Sequence, residues 1–188
     1  MAQLYLTVVT LNVWVLVLIV TGSVAQQLIF GELPCPLCVA QRIAMMLCAL
    51  GPAHILLWTR DGALTARTAA VGHGIAIIAA LLGTVAAGRQ ALLHILPGDP
   101  GFGSPVLGLH LYTWAVIVFA CQIAASGVML IATPAVDGTP VMWGTIGRAA
   151  VIAFAVIVVV NLLLVVAQAG LHLNLPDHPT EYLLFKGR

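Results

Sequence analysis

Gly31-Glu-Leu-Pro-Cys-Pro-Leu-Cys-Val-Ala-Gln-Arg42 lies between two long apolar runs and holds two of the chain's four cysteines and two of its ten prolines. The residue before a proline is pushed out of helical geometry, and proline is favoured at the first helical position. The stretch therefore predicts a break and a helix start, with Cys35 at the N-cap, Pro36 at N1 and Cys38 at N3. What surrounds it decides the fold class. The 188 residues are 62% hydrophobic and only 7% charged, with a mean hydropathy of +1.12. A soluble domain carries roughly 25% charged residues. This chain cannot cover a water-facing surface, which makes it an integral membrane protein. A net charge of +1 gives no case for nucleic acid. No internal repeat stands out, and residues 1–188 read as a single membrane domain.

Crossing about 30 Å of hydrocarbon takes roughly 20 apolar residues in a helix. Five stretches qualify, at about 4–28, 39–58, 68–87, 109–133 and 148–169. Lipid-exposed backbone must satisfy itself, so these are helices. The expected fold is an all-α membrane protein, a four-helix transmembrane bundle with a fifth, peripheral transmembrane helix. The breaks agree: Gly31 to Pro36, Arg60-Asp61-Gly62, the run Pro97 to Pro105, and Pro134 to Pro140. Trp58, Tyr112, Trp114 and Trp143 fall near span ends, where interfacial aromatics belong. The first span resembles a signal peptide around Ser23-Val-Ala25. It lacks a preceding Lys or Arg, and its apolar core is too long, so it reads as a helix.

The basic residues do not settle orientation. Arg60, Arg67 and Arg148 fall on one side, and Arg42, Arg89, Lys186 and Arg188 on the other. Disulfides persist outside the cytosol, which puts a paired Cys35 and Cys38 on the outer face and the N-terminus in the cytoplasm.

A Cys-x-x-Cys brings two sulfurs close enough to form and break a disulfide. Cys38 in the first turn meets free N–H groups and the positive end of the helix dipole, which favour a thiolate. Arg42 follows four residues on, on the same face. Helical side chains lean toward the N-terminus, so its guanidinium is expected to point at the Cys38 sulfur. Facing lipid unpaired, the arginine would cost several kcal/mol, on the order given for intramembrane charge, so it belongs in the bundle interior. Zinc needs four ligands. Cys48 lies about 15 Å further down the helix and Cys121 is mid-span, so no metal site is expected. Those two cysteines read as packing thiols. No histidine follows the motif as c-type haem attachment requires.

Leu33-Pro-Cys-Pro-Leu-Cys-x-x-x-Arg42, with Leu107-Gly-Leu-His-Leu-Tyr-Thr-Trp114 leading into the fourth span, resembles the DsbB family of bacterial inner-membrane thiol:quinone oxidoreductases. The resemblance implies a four-helix bundle that binds ubiquinone or menaquinone beside the CxxC. It implies that the disulfide passes to a soluble, thioredoxin-like periplasmic protein of the DsbA type. Carried over, Cys38 adjoins the quinone, Arg42 contacts a quinone oxygen, and Cys35 is the sulfur open to exchange. Gln90 stands where members often have a histidine near the outer end of the third helix, and His94 is one turn on. His94 and His110 flank the second outer loop, where they can lie near the quinone or shuttle its protons. Phe102, Val106 and Leu107 in that loop can rest on the membrane surface and cover the redox site or contact the partner, or the loop can equally be only a tight connector. The loop from Gln90 to Gly108 has no cysteine, whereas well-studied members carry a second pair there. The fifth span is also additional. This is the pattern of a shortened branch, whose Cys35–Cys38 bond meets the partner thiol directly.

Other readings stay open on the residues alone. His54, His73, His94 and His110 near span ends could ligate haem b in an electron-carrying subunit. The CPLC pair could be a static staple in a non-catalytic member. A vitamin K epoxide reductase-like activity runs the same chemistry on a similar bundle, but the arginine four residues on fits the DsbB pattern better. Asn12 and Asn161 are expected to form interhelical hydrogen bonds. His54 and His73 are expected at the cytosolic interface. The small residues Ala76, Ala79, Ala80, Gly83 and Ala87 should place the third span at the bundle centre. The tail from Leu171 to Arg188 reads as a short surface segment.

Overall fold

The structure is a computed structural model describing residues 1–59, 62–170 and 179–185. Arg60, Asp61, Lys186 and Arg188, and the tail from Leu171 to His178, lie outside the described residues, so the break expected at Arg60-Asp61 and most of the expected surface segment do too.

Five helices are long and apolar enough to cross a membrane: α1 (Ala2–Ile29), α2 (Pro36–Trp58), α3 (Ala66–Leu93), α4 (Leu111–Ala132) and α5 (Thr145–Ala169). One-turn 3₁₀ segments follow at Thr133–Ala135 and Leu183–Phe185. Among the described residues the chain is all-α apart from a short antiparallel pairing of β1 (Ala63–Leu64) with β2 (Thr139–Pro140) and an isolated antiparallel bridge between Val106 and Leu109. The β1–β2 pairing ties the α2–α3 loop to the α4–α5 loop at the end of the bundle away from CPLC. Asp137 accepts the Ala66 N–H at 2.6 Å, and the Thr65 hydroxyl accepts the Thr68 N–H at 3.2 Å, so the start of α3 is capped twice.

The expected small-residue face of α3 is the centre of the bundle. Ala76, Ala79, Ala80 and Ala87 are buried between α2 and α4. Gly83 receives the Phe119 ring, and a Cβ there would overlap it. Helices in lipid gain little from apolar burial alone, so close backbone approach through small residues holds them together. Side chains such as Leu18, Ile78, Leu82 and Ile131 are exposed on the outside of the bundle, as a lipid-facing surface requires. Of the five spans α5 buries the smallest share, consistent with its expected peripheral place, and it packs against α1 and α2.

Four expectations change. α3 runs to Leu93 rather than stopping near Ala87: it continues through Gly88, no proline intervenes before Pro97, and Gln90 finds polar partners. His73 is not interfacial: α3 begins at Ala66, which sets His73 two turns inside, 4% exposed and 2.9 Å from the Tyr5 hydroxyl. Cys121 does not pack in the core but is exposed on the outer side of α4, whereas Cys48 is fully buried. Asn12 donates across to Gln122 at 2.9 Å as expected, but the Asn161 carbonyl oxygen is buried without a partner among the described residues.

Candidate active site

Cys35 caps α2 with its own sulfur. Its backbone is extended (φ −68°, ψ 167°), and its Sγ accepts the Cys38 N–H at 3.2 Å. Pro36 at N1 removes a donor the first turn cannot use. This geometry brings the two sulfurs to 2.7 Å with both cysteines as free thiols. The Cys35 thiol is held well above its ordinary range, first by its hydrogen bond to the Cys38 sulfur and then by burial. Cys35 is only 6% exposed. The sulfur expected to be open to exchange is covered, because the capping geometry turns it inward.

Gln90 of α3 faces the pair. Its amide nitrogen is 3.5 Å from each sulfur, and its oxygen accepts from Gln41 Nε2 at 2.7 Å. Arg42 is buried as expected, but its hydrogen bonds go to α1 rather than to Cys38. Nε donates to Ser23 Oγ at 2.8 Å, Nη1 to Gln27 Oε1 at 2.6 Å and Nη2 to the Ser23 carbonyl at 2.7 Å. A guanidinium has five donors in a planar fork, so two N–H groups remain beyond these three bonds.

Cys38, Gln41, Arg42 and Gln90 share a cavity of about 290 Å³. Ser23 and Gln26 of α1 add polar atoms, and the Gln26 carbonyl oxygen is buried without a partner among the described residues. The rest of the wall is mainly apolar, including Ile19, Met45, Leu111 and Val118. Leu18 and Gly22 line it and are themselves exposed, so the cavity opens on the lipid-facing side of α1. A flat, apolar ring with polar atoms at its edge suits this lining.

The loop between α3 and α4 forms the roof. Phe102, Gly103 and Val106 line the cavity, while Leu107 points away and is 89% exposed. Glu32, just before CPLC, pins the roof by accepting from the Ser104 hydroxyl and N–H. His94 and His110 do not line the cavity. His94 Nδ1 pairs with Asp99 at 3.0 Å, and His110 Nδ1 bonds the Gly103 carbonyl at 3.1 Å. Both rings stack on Tyr112, whose side chain does line it. The Asp99 carboxyl is held below its ordinary range by the Gly101 N–H and then by His94.

Several contributors were not singled out from the sequence. Gln41 could have been found, since it sits one turn below Cys38 on the same helix face. Ser23 and Gln27 are polar positions closing an apolar helix, a weak signal. Tyr112 was read as an interfacial aromatic, not as a wall of the site, and Gln168 carries no signal. Gln168 reaches from α5 to donate to the Pro34 carbonyl at 2.7 Å, so the additional helix holds the residue next to Cys35. Tyr182 likewise accepts from Gln27 Nε2 at 3.2 Å.

The architecture and the site define a multi-pass membrane protein with a thiol pair at the rim of an intramembrane cavity. The family model described as "Disulfide bond formation protein DsbB" matches residues 5–103, just over half of the chain, from α1 to Gly103 within the roof loop. Similar curated proteins are two named Disulfide bond formation protein B 1, from Pseudomonas fluorescens strains Pf0-1 and Pf-5. The first is 29% identical over 131 residues, covering 54% of this chain and 75% of the relative. The second is 31% identical over 133 residues, covering 56% and 77%. Disulfide bond formation protein B of Pseudomonas syringae pv. tomato is 28% identical over 131 residues, covering 54% and 75%. No solved structure matches the chain. The chain belongs to the DsbB family, and so to the oxidoreductases of disulfide bond formation.

Proposed function

We propose that the chain is a thiol:quinone oxidoreductase that oxidises a thioredoxin-like periplasmic protein of the DsbA type. One observation supports this above the rest: Cys38 and Arg42 share a mainly apolar cavity that opens toward lipid. A ubiquinone or menaquinone bound there supplies a two-electron, two-proton acceptor. Arg42 would donate to a quinone oxygen, Gln26 Oε1 would accept from a quinol hydroxyl, and the roof residues Phe102 and Val106 would keep water out.

In the net reaction a partner dithiol becomes a disulfide and quinone becomes quinol. A partner thiolate attacks Cys35 Sγ, the Cys35–Cys38 bond breaks, and Cys38 leaves with the electron pair as a thiolate facing Gln90 Nε2. The partner's second thiolate displaces Cys35, which takes up a proton, and the partner departs oxidised. The pair then gives up two electrons and the Cys35 proton into the cavity, the second proton of quinol comes from solvent, where the partner's thiols released theirs, and the sulfur–sulfur bond re-forms. His94 and His110 hold Tyr112 at the rim and exchange protons with solvent. With no second cysteine pair in the roof loop, Cys35 meets the partner directly. Residence is the bacterial cytoplasmic membrane, with CPLC on the periplasmic side and the N-terminus inside.

The experiment is reduction of ubiquinone and menaquinone analogues by a reduced thioredoxin-like donor, using purified protein. Wild type turns over, Cys35→Ser and Cys38→Ser do not, and Arg42→Ala is impaired. Turnover that survives both cysteine substitutions rules the reading out. A strong Soret band in the same preparation would instead establish the haem alternative.

A further inference from the structure

Gln41 is part of the CPLCVAQR run, yet the reaction above gives it no task. We propose that Gln41 is a positioning residue that fixes which end of the Gln90 amide meets the two redox sulfurs. The inference deepens the proposed function by naming how the thiol pair is kept reactive.

A primary amide presents a donor end and an acceptor end of nearly equal size. Sterics alone do not choose between them, and neighbours must. Gln90 is 2% exposed and Gln41 is 5% exposed, so neither exchanges its partners for water. Gln41 donates through Nε2 to Gln90 Oε1 at 2.7 Å. That bond turns the Gln90 carbonyl toward α2 and leaves its NH₂ facing Cys35 and Cys38, 3.5 Å from each. A thiolate is only an acceptor, so this orientation supports it. The flipped amide would set a carbonyl oxygen against the sulfur lone pairs. When Cys38 is a thiol, its S–H still reaches Gln90 Oε1 at 3.8 Å, so one orientation serves both states. The device uses no charge. It is held by two helices already packed through Gly51 and Gly72, and it works one turn below Cys38.

The test is the alkylation rate of Cys38 by iodoacetamide in the full-length protein in detergent. It is measured in a Cys35→Ser background and resolved from Cys48 and Cys121 by peptide mass spectrometry. Alkylation needs no quinone. A wild type that fails to reduce quinone overturns the proposed function alone, and only the alkylation results judge Gln41. Gln41→Met is expected to slow the reaction about tenfold, the effect of losing one hydrogen bond to a charged group. Gln90→Met slows it equally, and the double variant is no slower than either single one. Gln41→Leu, an apolar side chain of similar size with neither donor nor charge, slows alkylation as much. It is the second variant should Gln41→Met fail to fold. Unchanged alkylation in Gln41→Met or Gln41→Leu, or full additivity in the double variant, overturns the inference.

Discussion

Replacing Gln27 with leucine tests whether Arg42 is held by α1 or merely lies beside it. Arg42 is 5% exposed, and its shortest hydrogen bond, 2.6 Å from Nη1, goes to Gln27 Oε1. A hydrogen bond involving a charged group contributes about 1.5–3 kcal/mol, and a buried charged donor left without a partner costs at least that. Gln27→Leu should therefore destabilise the protein by about 2 kcal/mol. Arg42→Leu removes the charge and strands the Gln27 and Ser23 acceptors, at about 1–3 kcal/mol. In the double variant neither the charge nor the Gln27 amide remains to be stranded. Its cost should fall short of the sum of the singles by about 1.5 kcal/mol, a coupling expected of residues in direct contact. Denaturant unfolding in detergent micelles, followed by tryptophan fluorescence, measures all three. Additivity within about 0.5 kcal/mol would mean that the Ser23–Gln27–Arg42 cluster is not a unit, and the account of a preset cavity wall would fall with it.

Gln168→Leu removes the 2.7 Å tether from α5 to the Pro34 carbonyl. Loss of one neutral hydrogen bond costs about 1 kcal/mol, and Cys35, now less firmly covered, should be alkylated faster while α1 to α4 stay folded by circular dichroism. Gly83→Ala forces a methyl group into the Phe119 ring. Overpacking of this kind costs about 1–3 kcal/mol, readable as a lower denaturation midpoint. The Asp99 carboxyl is held below its ordinary range by Gly101 and His94, so its contribution is present at neutral pH and lost as pH falls through the lowered value, below the unperturbed 3.8. Limited proteolysis of the roof loop should stay slow from pH 7 to about pH 4 and rise beneath that. Asp99→Asn should raise it already at pH 7.

The membrane class, the five helices and the thiol pair were legible from local pattern, because each rests on contiguous residues. A run of about 20 apolar residues has no other stable form in lipid. Cys35-Pro36 dictates a helix start by backbone sterics alone. What Arg42, Gln90, His94 and His110 touch was not legible in the same way. Spacing placed Arg42 on the Cys38 face but could not show that α1 offers Ser23 and Gln27 first. Position placed Gln90 near the site, yet whether its amide donates or accepts depends on Gln41, a neighbour on another helix.

By itself, then, the sequence determined that this chain lives in a bilayer and opens its second helix with two cysteines poised to pair. These follow from hydrophobic run length and from the geometry around proline, both short-range. Only the tertiary structure decided that Cys35 is covered, that His94 and His110 brace Tyr112 rather than enter the cavity, and that α5 reaches back to hold Pro34. In an apolar interior every polar group must find a partner or be stranded, and those partners come from helices far apart in the chain.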